Sequence, residues 1–217
     1  MVDALSIKKI FRKLQNELKI IDRSREKILR ESRAVTRTSK QAIFQIHRGN
    51  IEDAKKMLDK ARKKLAEITT LASSINALAS SGALNAAFEE YIEARALFRF
   101  VEHQEFLDPK IEKVPIAPYL LGLGDFIGEL RRQALDSIRL GKLEKAEECL
   151  LMMEEVYITL VSLENVHGVV SNLRRKTDIA RKLIELTRGD VTTETRRSKL
   201  ESSLNEVNKR LNKEKKR

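Results

Sequence analysis

The chain has 217 residues, 43 Lys/Arg against 32 Asp/Glu for a formal net charge of +11, 41% apolar residues, 3 Pro, 8 Gly and no Trp. So few helix breakers among so many Leu, Ile, Ala, Glu, Lys and Arg exclude a β-rich domain and predict an all-α protein, and the apolar share excludes a disordered chain. The length fits one domain, 1–217. No apolar run reaches the ~18 residues of a membrane span, and the lone Cys149 excludes an internal disulfide. With Lys8, Lys9, Arg12 and Lys13 interrupting any apolar leader, the expected location is the cytoplasm.

Taken in chain order, the first predicted helix runs from Ala4 to about Arg48 and stops at Gly49-Asn50, a glycine C-cap. The second covers about Ile51 to Ala79 and ends near Ser80-Ser81-Gly82; the third covers about Asn85 to Phe106. Asp108-Pro109 and Pro115–Pro118 mark the one substantial loop. The fourth starts near Pro118, in its first turn, and ends at Gly141. Two more follow, divided near Asn165–Gly168, with Gly189-Asp190 closing the sixth and Thr192 or Thr193 capping a seventh from Glu194 to about Leu211. The residues from 212 to 217 read as a solvated basic tail. The expected architecture is a bundle of about seven long antiparallel helices.

The positive charge is uneven. Residues 1–40 carry a net +7 and residues 194–217 a net +5, around a centre of −1. A basic surface favours polyanions, nucleic acid among them. One internal similarity stands out: QAIFQIHRGNIEDAKKML (41–58) matches QALDSIRLGKLEKAEECL (133–150) at 7 of 18 positions, 92 residues apart. Both read as helix, glycine turn, helix. A solenoid of ~34-residue repeats is absent, so the match predicts two similar hairpins.

Two pairs of acids carry the candidate chemistry. On the third helix, a projection at ~100° per residue sets Glu90 and Glu93 on a face with Ala86, Leu97, Phe100 and Val101, and leaves Arg95, Arg99 and Glu102 beside Phe88 and Ile92 on the side suited to solvent. A carboxylate on an apolar face is costly without a cation. On the fourth helix, Leu120, Leu123, Ile127, Leu130, Ala134 and Ile138 form a core stripe, with Asp125 and Glu129 opposite it beside Gly122. A polar face with Glu129 and Arg132 as an i,i+3 pair accounts for that arrangement too. Glycine in a helix costs ~1 kcal/mol against alanine, so Gly122 and Gly128 point to a close approach of another backbone or a ligand. E-x-x-E and D-x-x-x-E together offer up to four oxygen ligands, which suits Mg²⁺ or Mn²⁺. Neither helix has the E-x-x-H of di-iron bundles.

Three blocks resemble one family in register. DFIGELRR (125–132) is similar to the D-L-T-G-E-L-M-R of the translin family's translin-associated factor X branch, EYIEA (90–94) to its E-Y-V-E-A, and SRAVTRTSKQAIFQIHR (32–48) to its S-R-D-I-T-x-x-S-K-R-x-I-F-x-L-H-R. The resemblance implies an all-α member of prokaryotic or archaeal type that forms a homo-oligomeric, usually octameric, shell binding single-stranded RNA and DNA. It further implies a metal-dependent endoribonuclease whose catalytic acids are Glu90, Glu93 and Asp125. Glu129 is carried over as a fourth metal ligand.

These readings give an expected function: hydrolysis of single-stranded RNA, with a carboxylate-held Mg²⁺ or Mn²⁺ activating water and stabilising charge on the phosphate. Arg33, Lys40 and His47 recur at i, i+7 and i+14 on one face of the first helix, a stripe that could hold phosphates or simply face solvent. Phe44 and Tyr91 are expected to be packing residues. The alternative is a non-catalytic shell that grips single strands by charge; a protein-binding scaffold fits the basic ends less well.

Overall fold

The computed structural model describes residues 4–75, 81–163 and 169–214. They form seven helices: α1 Ala4–His47, α2 Ile51–Ser73, α3 Gly82–His103, α4 Pro109–Glu112, α5 Ile116–Arg139, α6 Leu143–Val161 and α7 Leu173–Glu214. There is no strand among the described residues, and none of their helices is long and apolar enough to cross a membrane. Two compact units divide the chain, Met1–Leu123 and Gly124–Arg217.

In the first unit α1 packs on α2 and α3, and α2 on α3. Ile28, Val35, Ala42 and Ile46 of α1 meet a core that α2 supplies with Leu58, Leu65 and Ile68 and α3 with Phe88, Tyr91, Ile92 and Leu97, all nearly inaccessible to solvent. The turn from α1 to α2 is a Schellman motif. Gly49 takes φ 78°, its N–H reaches the Ile46 carbonyl at 2.9 Å, and the Asn50 N–H reaches Gln45 at 2.9 Å. In the second unit α6 packs on α7. The α5–α6 turn repeats the first motif 92 positions on: Gly141 takes φ 69°, its N–H reaches Ile138 at 2.9 Å, and Lys142 reaches Ser137 at 2.9 Å. The two hairpins expected from the internal similarity are both formed.

The helix boundaries differ from expectation at several places, the start of α3 at Gly82 instead of about Asn85 among them. Gln104 enters the left-handed region at φ 52° and donates back to Phe100, so α3 ends at His103, before Phe106. The Pro109 loop holds one helical turn, α4, capped by the Asp108 carboxylate, which accepts from the Lys110 N–H at 2.8 Å. The predicted break at Gly189-Asp190 is absent, and α7 runs through it. Thr193, one of the two expected caps, instead donates to the Gly189 carbonyl one turn back at 2.9 Å, as Thr195 does to the Val191 carbonyl at 2.8 Å. Thr187 and Val191 on either side of the glycine stay buried, so the packed seam continues across it. The second helix ends early too: α2 stops at Ser73, short of the expected Ala79, with the Ser74 N–H donating back to the Thr70 carbonyl at 3.1 Å. Ala79 itself and the division at Asn165–Gly168 lie outside the described residues, as do residues 215–217 of the basic tail.

Candidate functional site

Glu90 and Glu93 belong to α3 in the first unit. Glu90 accepts an ion pair from Lys40 of α1 at 3.1 Å, with 24% of its side chain exposed. Lys40 is one of the three predicted nucleic-acid residues, so one site residue of each predicted class meets here. Arg33 is exposed and His47 is half-buried. Glu93 is half-buried too, and it has a polar or electrostatic partner of its own.

The reading of the α3 faces needs correcting. Phe88, Tyr91 and Ile92 are buried at 4%, 1% and 0% exposure, while Ala86 is exposed. The side assigned to solvent is therefore core, and Arg95 does not face water. Its Nε donates to Glu112 Oε1 of α4 at 3.1 Å, and Tyr91 donates its hydroxyl to Glu112 Oε2 at 2.5 Å. Burial, reinforced by Glu112, pushes the Tyr91 phenol well above its ordinary range. Arg62 of α2 stands 3.8 Å from the same carboxylate. This network ties the turn after α3 to α2 and α3, and nothing in the local sequence announced Glu112 as its centre.

Phe44 corrects a second expectation. It is 48% exposed, outside the core, and the Arg48 guanidinium stands over its ring at 5.3 Å from the centroid, within cation–π range.

Asp125 and Glu129 belong to the part of α5 in the second unit. Asp125 is ion-paired with Lys176 of α7, whose side chain is 10% exposed against 39% for the aspartate. The lysine stem lies against Gly124, where an added Cβ would come within 3.0 Å of it. Lys176 was not found from the sequence: it stands 51 residues from Asp125 in an ordinary amphipathic stretch. Glu129 has Arg132 at 3.9 Å, the i,i+3 pair expected. The α5 core stripe holds at Leu123, Ile127, Leu130 and Ala134.

The glycines of α5 separate by role. At Gly122 a Cβ would fall 2.7 Å from the Glu89 carbonyl oxygen and 2.8 Å from Ile92, so the α5 backbone lies directly on α3 next to Glu90. At Gly128 the nearest atom is an ordinary 4.0 Å away. The expected close approach belongs to Gly122 alone of the two.

As metal ligands these acids are hard oxygen donors, partly open to water, and each of Glu90, Asp125 and Glu129 has a basic side chain beside it. Among the described residues no three of His, Cys, Asp and Glu cluster closely enough to cage an ion. A hydrated Mg²⁺ takes one or two carboxylates and completes its shell with water and substrate phosphate. The donor set fits such an ion and does not fit a closed structural site.

Comparison with known proteins follows this geometry. An uncharacterized protein of Methanocaldococcus jannaschii is 34% identical over 199 residues, covering 89% of this chain and 86% of its own. Translin-associated protein X of Mus musculus is 23% identical over 187 residues, 68% of this chain and 64% of its own. Among solved structures, the AfC3PO–duplex RNA complex superposes with a TM-score of 0.78 at 30% identity, covering 85% of this chain and 96% of that one. Apo-NeC3PO shares the fold, with a TM-score of 0.77 at 21% identity, over 89% of this chain and 98% of its own. The Translin family model matches residues 23–186, which span all four candidate acids and the basic stripe, and the chain belongs to the Translin family.

Proposed function

We propose that this protein is a cytoplasmic, homo-oligomeric nucleic-acid-binding protein that cuts single-stranded RNA as a metal-dependent endoribonuclease, and that it also binds single-stranded DNA. The observation that carries the reading is the Lys40–Glu90 ion pair. It sets the basic face of α1 against the E-x-x-E of α3, so phosphates held by the one pass beside the carboxylates of the other. Support comes also from AfC3PO, solved with duplex RNA, and from family membership.

In this reading Mg²⁺ or Mn²⁺ would take its carboxylate ligands, one or two to an ion, from among Glu90, Glu93, Asp125 and Glu129. The ion, when bound, supplies activation of the attacking water and stabilisation of charge on the scissile phosphate. Lys40 and Lys176 hold Glu90 and Asp125 in place, and one of the carboxylates would take the proton from the attacking water. Arg33 and Lys40 draw the strand in by charge. Homo-oligomer formation, of the octameric kind the family resemblance implies, is supported by two apolar seams left open on the long helices: Ile7, Phe11, Leu14 and Leu18 on α1, and Leu200, Leu204, Val207 and Leu211 on α7.

The second reading, a binding shell without catalysis, is favoured by the basic partners already beside Glu90, Asp125 and Glu129. Labelled single-stranded RNA incubated with the protein and Mn²⁺, or with EDTA, separates the two. Nuclease activity predicts cleavage with Mn²⁺ only. Glu93→Ala and Asp125→Ala then each lower the cleavage rate at least ~100-fold and leave binding intact. Binding with no turnover under any divalent cation establishes the shell instead.

A further inference from the structure

We infer that Phe44 and Arg48 form a stacking platform on which a base of a single-stranded nucleic acid rests, the strand's phosphates running along the same face of α1. The inference rests on the nucleic-acid-binding reading above and adds a site for the bases to it.

An exposed phenylalanine alone means little, since lone surface apolar residues are common. Three observations set Phe44 apart. It departs from the apolar seam of its own helix, where Ile43 and Ile46 on either side are 6% and 3% exposed. The Arg48 guanidinium lies 5.3 Å from its ring centroid while 48% of the residue stays open to solvent. And its neighbours on that face are cations: Arg33, Arg37 and Arg48 are exposed, as is Lys40, with 63% of its side chain accessible. Projected at ~100° per residue, Phe44 falls at the middle of this face, about 20° from Arg37 and about 40° from Lys40 and Arg48. Arg33 and Arg37 make no ion pair among the described residues, so their charge is not already spent within the chain.

Aromatic rings interleaved with cations are how proteins hold single strands without reading sequence: the cations track the backbone and the ring takes the π-face of any base. Lys40 lies one turn from Phe44, ~6 Å along the axis, and reaches Glu90 at 3.1 Å. A base resting on Phe44 therefore brings the adjoining phosphate toward the E-x-x-E helix. The platform would set how far from the carboxylates the strand is gripped, without selecting its sequence.

The chain has no tryptophan, so Phe44→Trp places a single fluorescent reporter at the platform. Its emission is measured against a short single-stranded oligoribonucleotide and an abasic strand of the same length. Binding of wild type and Phe44→Leu to both strands is followed by fluorescence anisotropy over a salt series, with oligomer size checked by light scattering. Quenching by the base-containing strand and not by the abasic one is expected. Phe44→Leu should bind the base-containing strand about 5- to 150-fold more weakly, bind the abasic strand as wild type does, and keep the wild-type salt slope. Wild-type affinity in Phe44→Leu, or no quenching while the strand binds, overturns the platform and leaves the nucleic-acid reading standing. A tryptophan that is already blue-shifted without RNA, together with a smaller oligomer in Phe44→Leu, overturns it by making the ring a contact between copies. Absence of single-strand binding by the wild type at any salt overturns both.

Discussion

The two glycine-turn hairpins, 41–58 and 133–150, are built alike and dressed oppositely. The residues that make the turn coincide: Gly49 and Gly141 have φ of 78° and 69°, and the same two backbone bonds close each motif. So do the residues that face the core, Ala42 with Ala134 and Ala54 with Ala146, each 0% exposed. Carried up the helix at the same offset of 92, the outward face inverts its charge at two positions and keeps it at a third, where Lys40 matches Arg132. Arg33 and Arg37 on α1 match Asp125 and Glu129 on α5; Phe44 and Arg48 match Asp136 and Leu140. One helix thus presents cations around an aromatic ring, and its counterpart presents carboxylates beside Arg132. The backbone is fixed by the positions that agree, and the chemistry lies in those that differ. A phosphate chain suits the first face and a divalent cation the second.

The most forceful way to break this contrast is to exchange the differing residues. Arg33→Asp with Arg37→Glu gives α1 the acids of α5. If each arginine neutralises one phosphate, losing both lowers single-strand affinity about 100-fold at ~50 mM salt and flattens the log–log salt slope by about 1.4. Filter binding across a salt series measures both. An unchanged slope would place the phosphates on another face.

The turns supply a smaller and more symmetric test. Gly49→Ala and Gly141→Ala each force a Cβ into the left-handed region, with nothing within 4 Å to add a clash. Each should cost about 1–2 kcal/mol, read from the midpoint of urea unfolding. Equal costs sharpen the claim that the two motifs are one design used twice; a cost at one turn only breaks it.

The sequence carried the turn residues because a glycine C-cap is a local signal, and the length of α1 because nothing interrupts its first 47 residues. It misjudged Gly189, since whether a glycine ends a helix depends on what packs around it. Here Thr187 and Val191 stay in the core and Arg131 reaches Asp190 at 3.0 Å, so the helix continues. Projection of α3 failed for a related reason. A helix buried on most sides has no solvent face for its charges to mark, and Arg95 answers to Glu112 instead. The candidate acids Glu90, Glu93, Asp125 and Glu129 are proposed from spacing and motif, which are patterns along the chain. Their partners Lys40 and Lys176 were not legible as partners, because pairing across helices leaves no pattern along either one.

The gentlest test compares matching positions, half-buried Met57 in the first hairpin and buried Cys149 in the second. Cys149 is buried at 2% exposure, and burial, helped by Glu148 and opposed by Lys145, pushes its thiol from an ordinary value near 9.0 up to about 12. A group that is harder to ionise when folded adds stability that is intact below its unfolded value and drains away as pH climbs toward the folded one. Between pH 9 and 12 the unfolded chain releases a proton that the native chain keeps. By pH 10 this should remove about 1.4 kcal/mol relative to pH 8; Tyr119, held up to about 12 from 10.0 by its own burial, and Tyr91, held higher still, remove stability over the same range in wild type and variant alike. The thioether at Met57 has no proton to lose, so the thiol's share of the slope belongs to the second hairpin. Urea unfolding of wild type and Cys149→Ala at pH 8, 9 and 10 isolates it: the variant loses stability at every pH from its smaller side chain but lacks the additional alkaline decline. Parallel curves for the two proteins would mean that the thiol ionises as readily in the fold as out of it, and that the interior of the α5–α6 hairpin admits water where its counterpart does not.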